Sequence, residues 1–379
     1  MQIVVAGQGY VGLPLAVRAA EVGHRVVGYD VNPDRVQQLA AGESYVEDMG
    51  SARLRAVLES GAYSATAGGA ALAGFDIAVI TVPTPLRDGV PDLTYIESCA
   101  RALGEHLRPG ATVVLESTSY PGTTEELLLP ILEETSGLKG GADFMAGFSP
   151  ERITPGSKRW SFEGTPKLVS GIDATSLDVI KGFYDGIFQT TVAVSGPKVA
   201  ELAKLLENTF RFVNISMINE MAMLADALDV NIWEAIDAAT TKPFGFMKFT
   251  PGPGVGGHCL PVDPMFLSWK AQQELGTPFR FAELAADVNR QMPDYVVQRL
   301  VAALNKRGMP VSGSRILLLG LTYKFNATDF RNSPSAHVAE LLIGLGADVR
   351  GAEPNIPDGV DTGLNLLRVD ATPEEVAAA

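Results

Sequence analysis

A short apolar strand that runs straight into a glycine turn opens this chain, and few folds can follow it. Residues 2–6 read QIVVA, then Gly7, Gly9 and Gly12 stand in GxGxxG spacing before an alanine-rich helix to about Glu21. A second strand, Arg25–Tyr29, ends at Asp30. Strand, glycines, helix, strand and acid in that order predict one half of a doubly wound α/β domain that binds a dinucleotide. The first two glycines make the tight turn and admit a pyrophosphate to the helix N-terminus, and the third lets helix and strand pack. On this reading Gly7, Gly9, Tyr10, Val11 and Gly12 contact the cofactor. Asp30 accepts hydrogen bonds from the adenosine ribose and disfavours a 2'-phosphate, which selects NAD over NADP. A glycine turn in such a sheet with no cofactor is the alternative.

The strand and helix alternation continues through Phe75–Pro85, Ala111–Ser119 and Gly147–Ile153. Each is an apolar strand ending in polar or proline-rich residues, where an open parallel sheet binds its ligands. Thr84, Ser117, Thr118 and Glu151 are therefore expected to face one crevice. A helix cap is the competing explanation for Thr118, and a surface ion pair for Glu151.

From about Ser195 to Ala227 one long helix is predicted, with Pro197 in its first turn. At ~1.5 Å per residue it is long enough to cross between two domains. Apolar side chains, among them Leu202, Leu206, Phe210, Val213, Met217 and Leu224, cover most of its circumference, which reads as a buried helix. Glu201, Lys204, Asn208 and Arg211 form a polar stripe at spacings of three and four. The stripe is either a solvated face or a buried row whose lysine needs a partner or an anionic ligand. A second helix, Asn231–Ala239, leads to PGPGVGGHCLPVDP (251–264), in which four glycines approach Cys259, with His258 before it and Asp263 after it. So little side chain before a cysteine suits a thiol that attacks a substrate, whereas Cys99, in the amphipathic run YIESCARAL, reads as a small buried hydrophobe. Helices from about Phe266 to Glu274 and from Phe281 to Asn305 come next. Ser314–Lys324 then opens a second nucleotide-type half, with a helix from Pro334 to Gly346, one further strand, and a last helix starting at PEEVAAA. Two strands make an incomplete sheet, so this half either leans on its neighbours or is truncated.

With 379 residues and 46% apolar residues, two or three domains are expected. A net charge of −14 argues against nucleic acid or an anionic membrane as partner. No apolar run approaches the ~18–20 residues of a membrane helix, and the chain enters a strand without a leader, which predicts a cytoplasmic protein. Its four histidines and two cysteines are scattered, so neither a metal site nor a disulfide framework is expected.

GQGYVGLPLA, VPTPL, FSPERITPG, ELAKLLENTFRFVNISMINE, GPGVGGHCLPVDP and GLTYKFNATDFRNSP occur in that order. Together they resemble the nucleotide-sugar 6-dehydrogenases, the family of UDP-glucose, UDP-N-acetylglucosamine and UDP-N-acetylmannosamine dehydrogenases, across essentially the whole chain. The resemblance implies an N-terminal Rossmann-like NAD domain (1–195), a central helical, catalytic-loop and dimerisation domain (196–307), and an apparently truncated Rossmann-like UDP-binding domain (308–379). It implies a homodimer through the long helix and oxidation of a sugar C6 alcohol to the carboxylate with two NAD reduced. Cys259 corresponds to the nucleophile, Lys204 and Asn208 to the groups that stabilise an oxyanion, and Glu151 to a general base in thioester hydrolysis. Asp263 and Thr118 match positions that hold water or the C6 oxygen. Arg35, Thr84, Ser117 and Arg331 are implied cofactor contacts. Arg152, Phe249, Gly256 and Lys324 are implied substrate contacts, and Lys242 or Lys248 reaches a neighbouring subunit's ligand. SPERITPG and KPFGFM resemble the N-acetylhexosamine branch, which favours UDP-N-acetylglucosamine, with UDP-glucose and UDP-N-acetylmannosamine as alternatives. Two other readings stay open: a two-electron dehydrogenase that needs no cysteine, and a catalytically silent nucleotide-binding protein.

Overall fold

Ile3, Val4, Val5 and Ala6 are all fully buried, as both faces of a central parallel strand must be. They form β1 (Gln2–Ala6) in a computed structural model that describes residues 1–46, 49–153, 160–324, 328–357 and 359–379. Packing divides the chain into two compact units, Met1–Leu206 and Glu207–Ala379.

In the first unit β1 leads through α1 (Gly12–Glu21) to β2 (Arg25–Tyr29), then to β3 (Tyr63–Thr66), β4 (Ile77–Ile80), β5 (Thr112–Leu115) and β6 (Met145–Phe148). The sheet order is β3-β2-β1-β4-β5-β6 and every pairing is parallel. This is the Rossmann order, and it reverses between β1 and β4, where such sheets open a ligand crevice beyond their strand ends. Leu13 and Val17 of α1 join Ile3, Val5 and Val26 in its core. The strands are shorter than the sequence suggests. Pairing in the third predicted strand stops at Ile80, ahead of Pro83 and Pro85, which have no amide to donate. A two-stranded parallel sheet, β7 (Lys167–Val169) with β8 (Thr191–Ala193), completes the unit.

The long helix, α2, runs Pro197–Ala227 and is 31 residues long. Its burial corrects the expectation of a helix buried all round. Glu201, Lys204 and Asn208 are buried, whereas Leu202, Leu206, Phe210, Met217 and Leu224 are exposed in the single chain. Arg211, the fourth member of the polar stripe, is exposed as well. Three of the four polar residues thus lie on the inward face, beside the buried Ala200, Leu205 and Phe212, while Leu202, Leu206, Phe210, Met217 and Leu224 look out.

The second unit continues with α3 (Ile232–Thr240), α4 (Asp263–Leu275) and α5 (Arg280–Lys306). Its sheet has three strands where two were expected: β9 (Arg315–Leu319), β10 (Asp348–Ala352) and the short β11 (Leu367–Arg368), in that order and all parallel. Between β9 and β10 stands α6 (Pro334–Gly344), and α7 (Pro373–Ala378) follows β11. Val338, Ala339 and Leu342 of α6 share a core with Val297 of α5 and Val349 of β10. This half therefore does lean on the helical segment before it. Among the described residues no helix is long and apolar enough to cross a membrane.

Candidate active site

Three glycines at the end of β1 are required for different reasons. Gly7 has φ +92°, and a Cβ there would lie 2.7 Å from the Thr81 carbonyl oxygen. On Gly12 a Cβ would overlap the Gly7 carbonyl and the Thr81 hydroxyl. Gly9 has nothing within 4 Å of its would-be Cβ, so its lack of a side chain leaves open space over the turn. Helix α1 begins there with no side-chain cap and no acid in its first turn, so its positive end is left uncompensated. A buried polar set backs the turn. Asp30 accepts the Gln8 amide at 2.9 Å on one oxygen and the Asn32 amide at 2.9 Å on the other, and Arg35 pairs with it at 3.5 Å. The two amides occupy two of the roughly four acceptor positions of a carboxylate. A glycine-lined opening, an uncapped helix end and a buried acid with acceptor capacity fit the pyrophosphate and ribose of NAD.

Sequence reasoning missed the supports of this turn. Tyr45 donates its hydroxyl to the Gln8 carbonyl, and burial pushes its phenol up to about 12. Tyr63 donates to Gln8 Oε1 at 2.8 Å. Gly28, inside β2, was the available signal, because a side chain there would strike both Gln8 and Tyr63. Of the residues expected to line the crevice, Thr84 and Thr118 are half-buried. The Ser117 hydroxyl instead turns back to donate to the Val82 carbonyl at 2.8 Å, and so ties the ends of β5 and β4 together.

Beyond β6 a cluster of buried charge forms. Lys204 on α2 donates to the Glu151 backbone carbonyl at 2.7 Å, and its ammonium lies 3.5 Å from Glu151 Oε2. Glu151 also accepts the Ile153 amide. The ion pair considered from the sequence therefore exists, but with a buried lysine of the polar stripe. Arg152 donates to the Pro166 carbonyl at 2.7 Å. Beneath them Lys167 makes a 2.8 Å ion pair with Glu116, and Tyr184 donates to the same Glu116 oxygen at 2.5 Å. Burial drives the Lys167 ammonium pKa down, against the pull of Glu116. The Tyr184 phenol is raised by burial first and by Glu116 second. Glu116 and Lys167 escaped the sequence reading, although a charge set in the runs VVLES and PKLVS is its own signal.

In the second unit Cys259 is exposed on a loop pinned from two sides. The Gly252 amide donates to Asn219 Oδ1 at 2.9 Å, and the Val255 amide to Asn289 Oδ1 at 2.5 Å. The Cys259 carbonyl accepts the Val262 and Asp263 amides at 3.3 and 2.9 Å, a turn that delivers the chain into α4. Helix α4 starts three residues earlier than predicted because Asp263 and Pro264 both suit a first turn. Asp263 is buried and accepts from Asn208 Nδ2 at 2.5 Å. Asn208 stands one turn after Lys204 on α2.

Two of the loop's glycines serve the protein's own packing. A Cβ on Gly256 would lie 2.6 Å from the Asn332 carbonyl oxygen, and one on Gly257, at φ +81°, 2.7 Å from the Tyr323 ring. Phe249 packs edge-on to Phe210 with ring centroids 6.0 Å apart. Arg331 forms a two-point pair with Asp329 at 2.8 Å on both contacts, and Lys324 is half-buried. Lost hydration and the Arg331 charge lower the His258 pKa, while Asp329 acts the other way. Lys248 pairs with Asp237 at 2.6 Å, and the Lys242 ammonium sits 4.9 Å from the Phe244 ring centroid. No metal-binding group of His, Cys, Asp and Glu occurs among the described residues.

Family descriptions match three consecutive stretches of the chain. Residues 1–187 match the NAD binding domain of the UDP-glucose/GDP-mannose dehydrogenase family, 198–291 its central domain, and 317–379 its UDP binding domain. The chain belongs to this family. It is an NAD-dependent nucleotide-sugar dehydrogenase by that membership, with its nucleotide turn in the NAD domain and Cys259 in the central domain. The UDP-N-acetyl-D-glucosamine 6-dehydrogenase of Pseudomonas aeruginosa is 38% identical over 358 residues, covering 93% of this chain and 83% of that one. The UDP-N-acetyl-D-mannosamine dehydrogenase of Pyrococcus horikoshii is 36% identical over 357 residues, covering 94% and 84%. A solved structure of the UDP-D-ManNAc dehydrogenase from Pyrococcus horikoshii superimposes with a TM-score of 0.89 at 34% identity, over 99% of this chain and 90% of that one.

Proposed function

We propose that this dehydrogenase oxidises the C6 alcohol of UDP-N-acetylglucosamine to the carboxylate, reducing two NAD per sugar through a thioester on Cys259, and that it works as a cytoplasmic homodimer. The observation that carries the reading is an exposed cysteine on a loop pinned by Asn219 and Asn289, at the head of a helix whose first residue, Asp263, holds Asn208. A two-electron dehydrogenase has no use for such a thiol. The 38% identity to a UDP-N-acetylglucosamine enzyme supports the sugar, and the SPERITPG run (149–156) supports it too, although its residues 154–156 lie outside those described. The 36% identity to a UDP-N-acetylmannosamine enzyme keeps that sugar as the second reading, with UDP-glucose behind both. We divide the chain into an NAD domain (1–195), a catalytic and dimerisation domain (196–307) and a UDP domain (308–379). The outward apolar row of α2 supports pairing of two copies through that helix.

Bound NAD supplies the acceptor for both hydrides. Gly7, Gly9, Tyr10, Val11 and Gly12 would hold its pyrophosphate, Asp30 its ribose, and Arg35, Thr84 and Arg331 its remaining polar groups, with Ser117, whose proton goes to Val82, left to act as an acceptor. Once C6 is an aldehyde, the Cys259 thiolate adds to it, which keeps the carbon tetrahedral and able to lose a second hydride. Lys204 and Asn208 stabilise the oxygen that carries the developing charge. Water held by Thr118 and Asp263 then attacks the thioester while Glu151 takes its proton; the C–S bond breaks, and Cys259 leaves as thiolate. Arg152, Phe249, Lys324 and the backbone of Gly256 position the UDP-sugar.

NADH formed per sugar, measured at limiting UDP-N-acetylglucosamine, UDP-N-acetylmannosamine and UDP-glucose in parallel, tests this. Two NADH with the first sugar preferred is the expected result. One NADH per sugar refutes the thioester chemistry, and preference for another sugar refutes the substrate. No NADH from any of them, with NAD bound, makes the chain a silent nucleotide-binding protein.

A further inference from the structure

Lys167 and Glu116 are buried and ion-paired within the first unit, and the mechanism above does not use them. Lys167 opens β7, and Glu116 follows β5. The ammonium donates at 2.8 Å to Glu116 and at 3.1 Å to the Pro150 carbonyl, with the rings of Tyr184 and Phe188 at 5.1 and 5.4 Å. The next carbonyl along the chain, that of Glu151, takes its hydrogen bond from Lys204 at 2.7 Å. Two lysines from different elements thus grip two consecutive carbonyls, and the second carbonyl belongs to the residue read as general base. Stability alone does not call for this arrangement, because a buried ion pair is often replaceable by apolar residues of similar volume at no loss. What an apolar replacement could not supply is a donor to Pro150.

We propose that Lys167, itself oriented by Glu116, is a positioning residue that fixes the Pro150–Glu151 backbone so that Glu151 is aimed for the hydrolytic step. This rests on the thioester reading of Cys259. The charged and titratable groups around Lys167 are Glu116, Tyr184, Glu151 and Lys204, and burial holds the ammonium pKa down against the two carboxylates. The lysine therefore acts through its hydrogen bonds to fixed partners. A displaced Glu151 slows attack of water on the thioester and leaves the earlier addition of Cys259 to the aldehyde intact.

Lys167→Met alone strands Glu116 without its cation, so the test also uses the pair Glu116→Gln with Lys167→Met, which keeps the volume and an acceptor for Tyr184. Each protein is mixed with NAD and UDP-N-acetylglucosamine, quenched in acid, and its intact mass is read for the Cys259 adduct alongside NADH release. The paired variant is expected to keep the wild-type melting temperature and NAD affinity, to turn over on the order of 10- to 100-fold more slowly, and to accumulate the adduct. Lys167→Arg, which keeps a cationic donor, is expected to recover part of the rate. Wild-type turnover in the paired variant overturns the proposal. Equal slowing of both oxidations without adduct overturns it too, since that marks a purely structural pair. If the wild-type enzyme releases one NADH per sugar and no variant ever carries an adduct, the thioester reading itself has failed.

Discussion

Replacing Glu201 by alanine is expected to be among the costliest single changes on the long helix. Its fully buried carboxylate accepts the Gly122 amide at 2.6 Å, the Thr124 amide at 2.9 Å and the Thr124 hydroxyl at 2.7 Å. Those groups open the helical turn Thr123–Leu128, whose N-terminus has no side-chain cap of its own. A carboxylate from another helix therefore does the capping, and it also joins the loop after Thr118 to the segment that carries Lys204. In Glu201→Ala two buried amides lose their acceptor, at about 1–3 kcal/mol each. The hydroxyl can turn elsewhere, and relief from burying a charge offsets part of the loss. With the cavity added, the net is about 4 kcal/mol. Glu201→Gln keeps the volume and one acceptor but sets an NH2 against a donor, for about half that loss. At roughly 2–4 °C per kcal/mol for a unit of this size, alanine should lower the melting midpoint by about 8–16 °C. Urea unfolding of the full chain, followed by fluorescence, measures the difference directly. A loss below about 1 kcal/mol would refute the capping role.

The same residue fixes the sign of a pH effect. Burial raises the Glu201 pKa above 4.5, against the opposing pull of its three hydrogen bonds. The folded state then binds this proton more tightly than the unfolded state, so the carboxyl's contribution is greatest below pH 4.5 and declines as pH rises to the folded pKa. The penalty of Glu201→Gln should accordingly be larger at pH 4 than at pH 7.

Three further outcomes are expected. Cys259→Ser should abolish acid formation while NAD affinity, measured by calorimetry, stays at the wild-type value; unchanged turnover would sink the covalent mechanism. Native protein at pH 8 should show one thiol reacting quickly with an aromatic disulfide and a second only after denaturation, because Cys259 is exposed whereas burial pushes the Cys99 thiol up to about 12. Two fast thiols in the native state would contradict that burial. Gly12→Ala places a methyl against the Gly7 carbonyl and the Thr81 hydroxyl, so NAD affinity should fall by on the order of tenfold or more together with the melting midpoint. Intact NAD binding in that variant would show that the turn can yield.

What the sequence made legible was local. Strand, glycines, helix and acid lie within the first 30 residues, and each follows from backbone geometry that only certain residues allow, so the nucleotide turn could be read directly. Helix lengths could also be read, because periodicity and proline punctuate them. Direction of burial could not, and α2 shows why. Its apolar and polar rows are both continuous, and a one-dimensional pattern does not say which row faces inward. Composition favours burying Leu202, Leu206 and Leu224, yet Glu201, Lys204 and Asn208 are inside with Leu205 and Phe212, because each polar group finds a specific partner: the Gly122 and Thr124 amides, Glu151 and Asp263. Those partners are tens of residues away and invisible to any local window. Lys167 and Glu116 escaped for the same reason, since a buried charge is explicable only through its counter-charge, and the two stand 51 positions apart (167 − 116), one opening β7 and the other just past the end of β5. The glycines before Cys259 carry the reverse lesson. Glycine there was read as room for a ligand, but at Gly256 and Gly257 the room is filled by Asn332 and Tyr323. Glycine signals a close approach without saying by what, whereas an open Gly9 and a filled Gly257 separate a ligand's space from the protein's own.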